Sequence, residues 1–185
     1  MIVLPDPDIT PREFTAKMRS GWELAEECFD VPAPEPPRDE AAENIQDWAE
    51  NVLERWVQRK SRVVSAARRE LDAAAEEAHR QRIMAGAIVG LMYEDVAKVL
   101  RAVPVPTEFI NEPEIADAYR DILEFEASPF LEHARRAYRA CAANADGGPE
   151  GMRHWRSFCA GRLARLPPPR GESTGVAGSS GGSRP

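Results

Sequence analysis

Residues 113–167 read PEIADAYRDILEFEASPFLEHARRAYRACAANADGGPEGMRHWRSFCAGRLARLP, and the fold turns on how that stretch divides. Proline is tolerated in the first turn of a helix, where its missing N–H has no acceptor to lose, and disrupts a helix interior. Pro113, Pro129 and Pro149 therefore each predict a helix start. Asn111 caps a first helix with Glu114 at N3, and its apolar face is Ile115, Ala118, Tyr119, Ile122 and Leu123. Ser128-Pro129 opens a second, with Phe130, Ala134, Ala137, Tyr138, Cys141 and Ala145 on one side. Asp146-Gly147-Gly148-Pro149 is a tight turn leading to a third, which presents Met152, Trp155, Phe158, Cys159, Leu163 and Leu166 before Pro167-Pro168-Pro169 stops it. The expectation is three short amphipathic helices in succession.

The rest of the chain extends this pattern upstream. Thr10-Pro11-Arg12-Glu13 has the form of a capping box, and Phe14, Met18, Trp22, Ala25 and Phe29 follow as a helical stripe broken only by Gly21. Pro32 to Pro37 form a polyproline-type spacer. No proline occurs from Arg38 to Val103, 66 residues. One helix of that length would span about 100 Å, too long for a compact domain. The apolar pattern yields two: Ile45, Trp48, Ala49, Val52, Trp56, Val63, Ala67 and Leu71 mark the first, and Ile83, Ala87, Val89, Leu91, Met92, Val96, Val99 and Leu100 the second. The break falls in the polar stretch Glu76–Arg82. Val103-Pro104-Val105-Pro106 ends the second helix, because proline biases its predecessor to extended backbone.

The reading is all-α: antiparallel helical hairpins, either a right-handed stack like that of tetratricopeptide repeats or an irregular bundle. It divides the chain into an N-terminal segment with one helix (1–31), a Pro-rich linker (32–37), a helical domain (38–166) and a disordered Gly/Ser tail (167–185).

Composition narrows the function classes. The formal charge is −7 over 185 residues, which argues against a general nucleic-acid surface. The most apolar run, Ile83 to Met92, is half of the roughly 20 residues a membrane-spanning helix needs, and reads as a buried helix. MIVLPDPDIT lacks the basic start of a secretory signal. That places the chain as it stands in the cytoplasm, or in the periplasm if it is a piece of an exported protein.

No catalytic motif is visible, no cofactor is implied, and the reading is not an enzyme. Glu76-x-x-His79 matches the helical motif of di-iron bundles, but neither Glu132-His133 nor Glu150 with His154 supplies the second copy such a site needs. The three histidines and three cysteines show no zinc-type spacing. Cys141 and Cys159 flank the Gly-Gly turn on apolar faces, unequally far from it. They read as two small buried residues or as a disulfide staple, which requires an oxidising compartment and leaves Cys28 unpaired. Trp48 and Trp56 read as core, or as anchors of a partner groove. Arg135, Arg139 and the arginines that follow form a basic region suited to an acidic partner or to a solvated, ion-paired face.

Residues 45–166 resemble the helical tetratricopeptide-type regions of large myxobacterial proteins. The motif order is carried by Lys60, Gly90-Leu91-Met92-Tyr93-Glu94, Pro104-Val105-Pro106, Ala118-Tyr119-Arg120-Asp121, Ala127-Ser128-Pro129-Phe130 with Ala137-Tyr138, and Trp155 through Leu166. The roughly 34-residue tandem period is not visible. The resemblance implies a non-catalytic scaffold that binds another protein, within an envelope-associated or motility assembly. The competing reading is a small helical-bundle enzyme or metal-binding protein with a site built from scattered Glu and His.

Overall fold

A computed structural model describes residues 13–148 and 150–168 and is all-helical over them. The elements are α1 (Ala16–Asp30), α2 (Ala42–Trp48), a π-helical turn (Ala49–Leu53), α3 (Glu54–Glu77), α4 (His79–Arg101), a 3-10 turn (Thr107–Phe109), α5 (Pro113–Asp146), a second 3-10 turn (Glu150–Met152) and α6 (Arg153–Arg165). No helix among the described residues is long and apolar enough to cross a membrane.

Cross-helix pairs show that packed neighbours run antiparallel. Lys17 meets Glu70 while Lys60 reaches the carbonyl of Cys28, so α1 and α3 are opposed. Lys60 pairs with Asp95 and Arg68 with Tyr93, which folds α3 and α4 back about their one-residue break at Ala78. Arg101 with Glu124, Tyr138 with Glu94 and His79 with Asn144 set α4 against α5. Arg156 with Asp146, and Arg135 with the carbonyl of Pro167, do the same for α5 and α6.

Helix α4 is the hub. From Ile83 to Met92 every residue is buried except Gly86, as its unbroken apolar run predicts. Two glycines let α5 close on it. A Cβ at Gly90 would overlap the Tyr138 ring, and one at Gly86 would lie 3.1 Å from Cβ of Cys141. Helix α1 joins the same core through Met18, Ala25 and Cys28, so the Pro-rich spacer does not separate it from the remainder.

Four details differ from the sequence reading. The cap of α1 is Thr15, whose Oγ1 accepts from the Met18 amide at 3.2 Å; Thr10–Arg12 lie outside the described residues. In the next helical run the buried positions step 45, 48, 53, 56, 60, 64, with an interval of five across the π turn. The extra residue of that turn delays the stripe by one position. Leu53 is therefore buried where Val52 was expected, and Val52 is 44% exposed. The same shift makes the eight-residue interval from Trp48 to Trp56 act as seven, close to two turns, and aligns the two indoles.

The third difference is the largest. Ser128-Pro129 does not start a helix: α5 runs unbroken for 34 residues with Pro129 inside it. An interior proline forfeits one backbone bond and crowds the preceding turn. Here its ring faces solvent, and the seam Ala127, Leu131, Ala134, Tyr138, Cys141 and Ala145 continues against α4 and α6. Packing on both sides of the proline holds the helix through it. Finally, the expected apolar face of the first short helix is mostly uncovered. Ile115 and Ile122 are 42% and 59% exposed, and only Tyr119 and Leu123 are half-buried. The Gly147-Gly148 turn falls where predicted; residues 169–185 of the expected tail lie outside the described residues.

Candidate functional site

The residues singled out from sequence go mostly to the interior. Trp48 and Trp56 are buried, so the groove-anchor reading is corrected: their indoles are core, held there by the π-shifted stripe. Arg135 is 4% exposed, donates to Glu132 at 2.7 Å and reaches the carbonyl of Pro167, so it fastens the end of α6 instead of facing a partner. Arg139 is exposed. Cys141 and Cys159 form a disulfide, with Sγ atoms 2.00 Å apart and Cα atoms 6.2 Å apart. The bond joins α5 to α6 across the Gly-Gly turn, and both sulfurs are also fully buried. Cys28 is the buried free thiol; burial pushes its pKa up to about 11, against the opposing effect of Lys60.

Lys60 is fully buried. Its Nζ pairs with Asp95 at 2.8 Å, donates to the Cys28 and Val31 carbonyls at the end of α1, and sits 5.4 Å from the Trp56 ring centre. It adds a second donor to the Cys28 carbonyl, which also accepts from the Val31 amide, and so helps close the C-terminus of α1. Tyr138, also fully buried, donates to Glu94 at 2.5 Å, and Arg162 donates to the same oxygen at 3.1 Å. Burial first and the Glu94 carboxylate second hold that phenol well above its ordinary pKa. The Lys60 ammonium and the Tyr138 hydroxyl are thus each partnered within the fold.

His79 makes a 2.9 Å contact to the Asn144 carbonyl, so it braces the α4–α5 end. Among the described residues no group of three or more His, Cys, Asp or Glu is placed to hold a metal ion.

Among the described residues, side chains converge on solvent at two places of particular note. The first is the N-terminal half of α5. At about 100° per residue, Ile115, Ala118, Ile122 and Phe125 fall within about 80° of one another on the helix wheel. Ile115, Ile122 and Phe125 are each exposed, Phe125 at 63%. Glu114 and Asp121 border that stripe on one side and Glu126 on the other. Tyr119, next around the wheel from Ile115, meets Phe109 edge-on at 6.0 Å. Those two rings line an apolar cavity of about 310 Å³ with Ile45, Ala49 and Pro106. The surrounding loop is tied down: both carboxylate oxygens of Glu108 accept from the Ala42 amide, at 3.0 and 3.2 Å, and supply the cap that Ala41 cannot. Hydrogen bonds from its own amide and that of Ala42 hold the Glu108 pKa below its usual range.

The second is a cleft of about 280 Å³ between α3, α4 and α5. Its floor is small and apolar, formed by Ala85, Gly86, Val89 and Ala137, and its rim carries Arg68, Arg82 and Arg136. The His133 ring stacks on Tyr93, centroids 4.6 Å apart and planes 15° from parallel. His133 Nδ1 faces Arg136 Nη2 at 2.9 Å and Arg68 Nη1 at 3.5 Å. Two guanidinium groups donate only, so Nδ1 is the unprotonated nitrogen of a neutral imidazole. Burial, then Arg136, then Arg68 depress the His133 pKa. The sequence gives no local signal for this cluster, because Arg68, Tyr93 and His133 are separated by 25 and 65 residues and meet only through the register of three helices.

No protein-family model matches this chain, and neither a curated protein nor a solved structure matches it.

Proposed function

We propose that the protein is a helical interaction module whose docking face is the N-terminal half of α5. The occupant is a basic amphipathic helix of another protein. The observation that carries this is the exposed stripe of Ile115, Ile122 and Phe125 beside an open pocket lined by Phe109 and Tyr119. A contiguous apolar patch with a polar rim is the usual form of a docking surface, and an aromatic-lined pocket at its edge accepts an anchor side chain.

Charge selects the occupant. Residues 113–126 carry Glu114, Asp117, Asp121, Glu124 and Glu126 against Arg120. Arg120 is already paired with Asp117, and Glu124 with Arg101. A second copy docking symmetrically would bring the same acidic borders together, which opposes self-association. A helix with Arg or Lys flanking an apolar stripe satisfies both features. The resemblance to tetratricopeptide-type myxobacterial regions points the same way, toward a scaffold with no chemistry of its own.

A photo-crosslinking side chain at position 122 of the full chain, expressed in its own cell, tests the proposal. The expected product is a crosslink to a segment of another protein with basic residues and helical apolar spacing, in higher yield than from Arg139. Crosslinks confined to this same chain, or a yield no higher than at Arg139, overturn it.

A further inference from the structure

The arginine cleft stands apart from the docking face. It lies where α3, α4 and the C-terminal half of α5 meet, and it combines an excess of positive charge with room for a ligand.

Three arginines rim it. Arg82 donates through Nε to the Ala75 carbonyl at 2.8 Å, which fixes its stem while the side chain still lines the opening. Arg68 donates to the Tyr93 hydroxyl at 3.2 Å and pairs with Asp72 at 3.3 Å. Asp72 is exposed and supplies the one carboxylate lining the cleft. Arg136 meets no carboxylate there and rests instead on the lone pair of His133. Because Arg68 and Arg136 both address that one nitrogen, their heads are no further apart than the sum of the two contacts. Asp72 offsets part of the Arg68 charge, while Arg136 rests on a neutral nitrogen, so the pair keeps a net positive charge that an anion between them would offset.

We propose that this cleft binds a small organic phosphate, with its oxygens on the Arg68 and Arg136 guanidinium groups and its organic part along the Tyr93–His133 stack. Guanidinium forks match the oxygen spacing of phosphate and carboxylate. The volume exceeds that of a bare oxyanion and sits near the small end of ligand pockets, so a compact ester fits where a nucleotide triphosphate does not. The apolar floor and the flat ring pair favour an unsaturated or aromatic organic group over a simple dicarboxylate.

Binding carries a built-in signature at His133. The groups facing it are Arg68 from α3, Tyr93 from its own stack on α4, and Arg136 on α5, with Asp72 beyond Arg68. A dianion among them offsets the two guanidinium charges, which act beside burial to depress the His133 pKa, so occupancy raises it.

The test uses the full-length protein and three probes at matched ionic strength: phenyl phosphate, inorganic phosphate and succinate. The expected result is saturable one-to-one binding by calorimetry, tightest for phenyl phosphate, with the His133 ring resonances titrating at higher pH in its presence. Arg68→Gln and Arg136→Gln should each weaken phenyl phosphate by about tenfold, the loss of one charge-assisted contact, at an unchanged melting temperature. The His133 titration in the unaltered protein serves if a variant fails to fold. Equal affinity for succinate and phenyl phosphate overturns the assignment of ligand class. Absence of saturable binding, or a His133 titration indifferent to the probe, overturns the site.

Discussion

The two halves of α5 share one helix and differ in almost everything else. Residues 113–126 contain Ile115, Ile122, Leu123 and Phe125, yet leave most of that surface in water. Residues 127–146 present mainly alanine, and Ala127, Ala134, Tyr138, Cys141 and Ala145 are buried to within 1%. The half richer in bulky apolar side chains is the exposed one. The difference lies in what stands opposite. Helix α4 ends at Arg101, whose partner Glu124 marks the last turn of α5 with a helix alongside it. Beyond that point α5 faces the loop and 3-10 turn before it, and Tyr119 reaches the cavity lined by Ile45 and Ala49. Where α4 is present, glycine and alanine let the backbones close, and burial follows from proximity. Hydrophobic side chains are buried by neighbours, not by their own character.

The comparison breaks first at its buried end. Trp155 lies fully inside the α5–α6 contact, so Trp155→Ala should cost about 3–5 kcal/mol in urea unfolding. Its buried indole N–H has no acceptor among the described residues, so Trp155→Phe should be much milder than truncation. A melting temperature unmoved by Trp155→Ala would place the ring at the surface and undo the contrast. Next in size is the disulfide. Reducing it, or replacing both Cys141 and Cys159 by Ser, should lower stability by about 3 kcal/mol, the value for a loop of comparable length. Thiol counting with denaturant and without reductant should find one reactive thiol, Cys28. The same thiol should resist alkylation in the folded protein because it is buried and its pKa stands near 11.

The junction gives an effect of opposite sign. Pro129→Ala restores a backbone donor inside a helix and should stabilise by about 1–3 kcal/mol. Destabilisation instead would show that the proline sets the path of the exposed half. At the exposed end Ile115→Glu should change stability by about 0.5 kcal/mol or less, as surface substitutions do, while abolishing the crosslink from position 122. A larger loss of stability would mean that the stripe is covered. The smallest effect concerns His133. Its folded pKa lies below its unfolded one, so the unfolded state binds more protons as pH falls past the ordinary histidine value. The contribution is complete above that pH and declines below it; His133→Gln should remove that part of the slope and leave the rest unchanged.

Much of this architecture is legible in the chain. The apolar run Ile83–Met92, the proline spacer, the Gly147-Gly148 turn and the polar break around Ala78 each encode a local choice that packing then respects. Pro129 is not legible, because a rule about local backbone is overridden by a seam that spans it. The π turn is hidden for a similar reason. Its only trace is the five-residue interval between Trp48 and Leu53, which is visible once burial is known. Periodicity reveals that Ile115, Ala118 and Ile122 share a face, but not whether anything covers it. The cleft has no local pattern at all, since its charges come from three helices.

The unbroken course of α5 has one more consequence. Thirty-four residues at about 1.5 Å each make a rod of about 50 Å. Its far end is bolted by a covalent bond to α6 and by close glycine contacts to α4. A load applied near Ile115 is therefore not absorbed by a flexible joint. It travels along the rod as torque, past the Arg136–His133 contact in its C-terminal half, and bears on the fastened end. The N-terminal half of α5 is thus a stiff arm, held lightly along its length and anchored most firmly in the core.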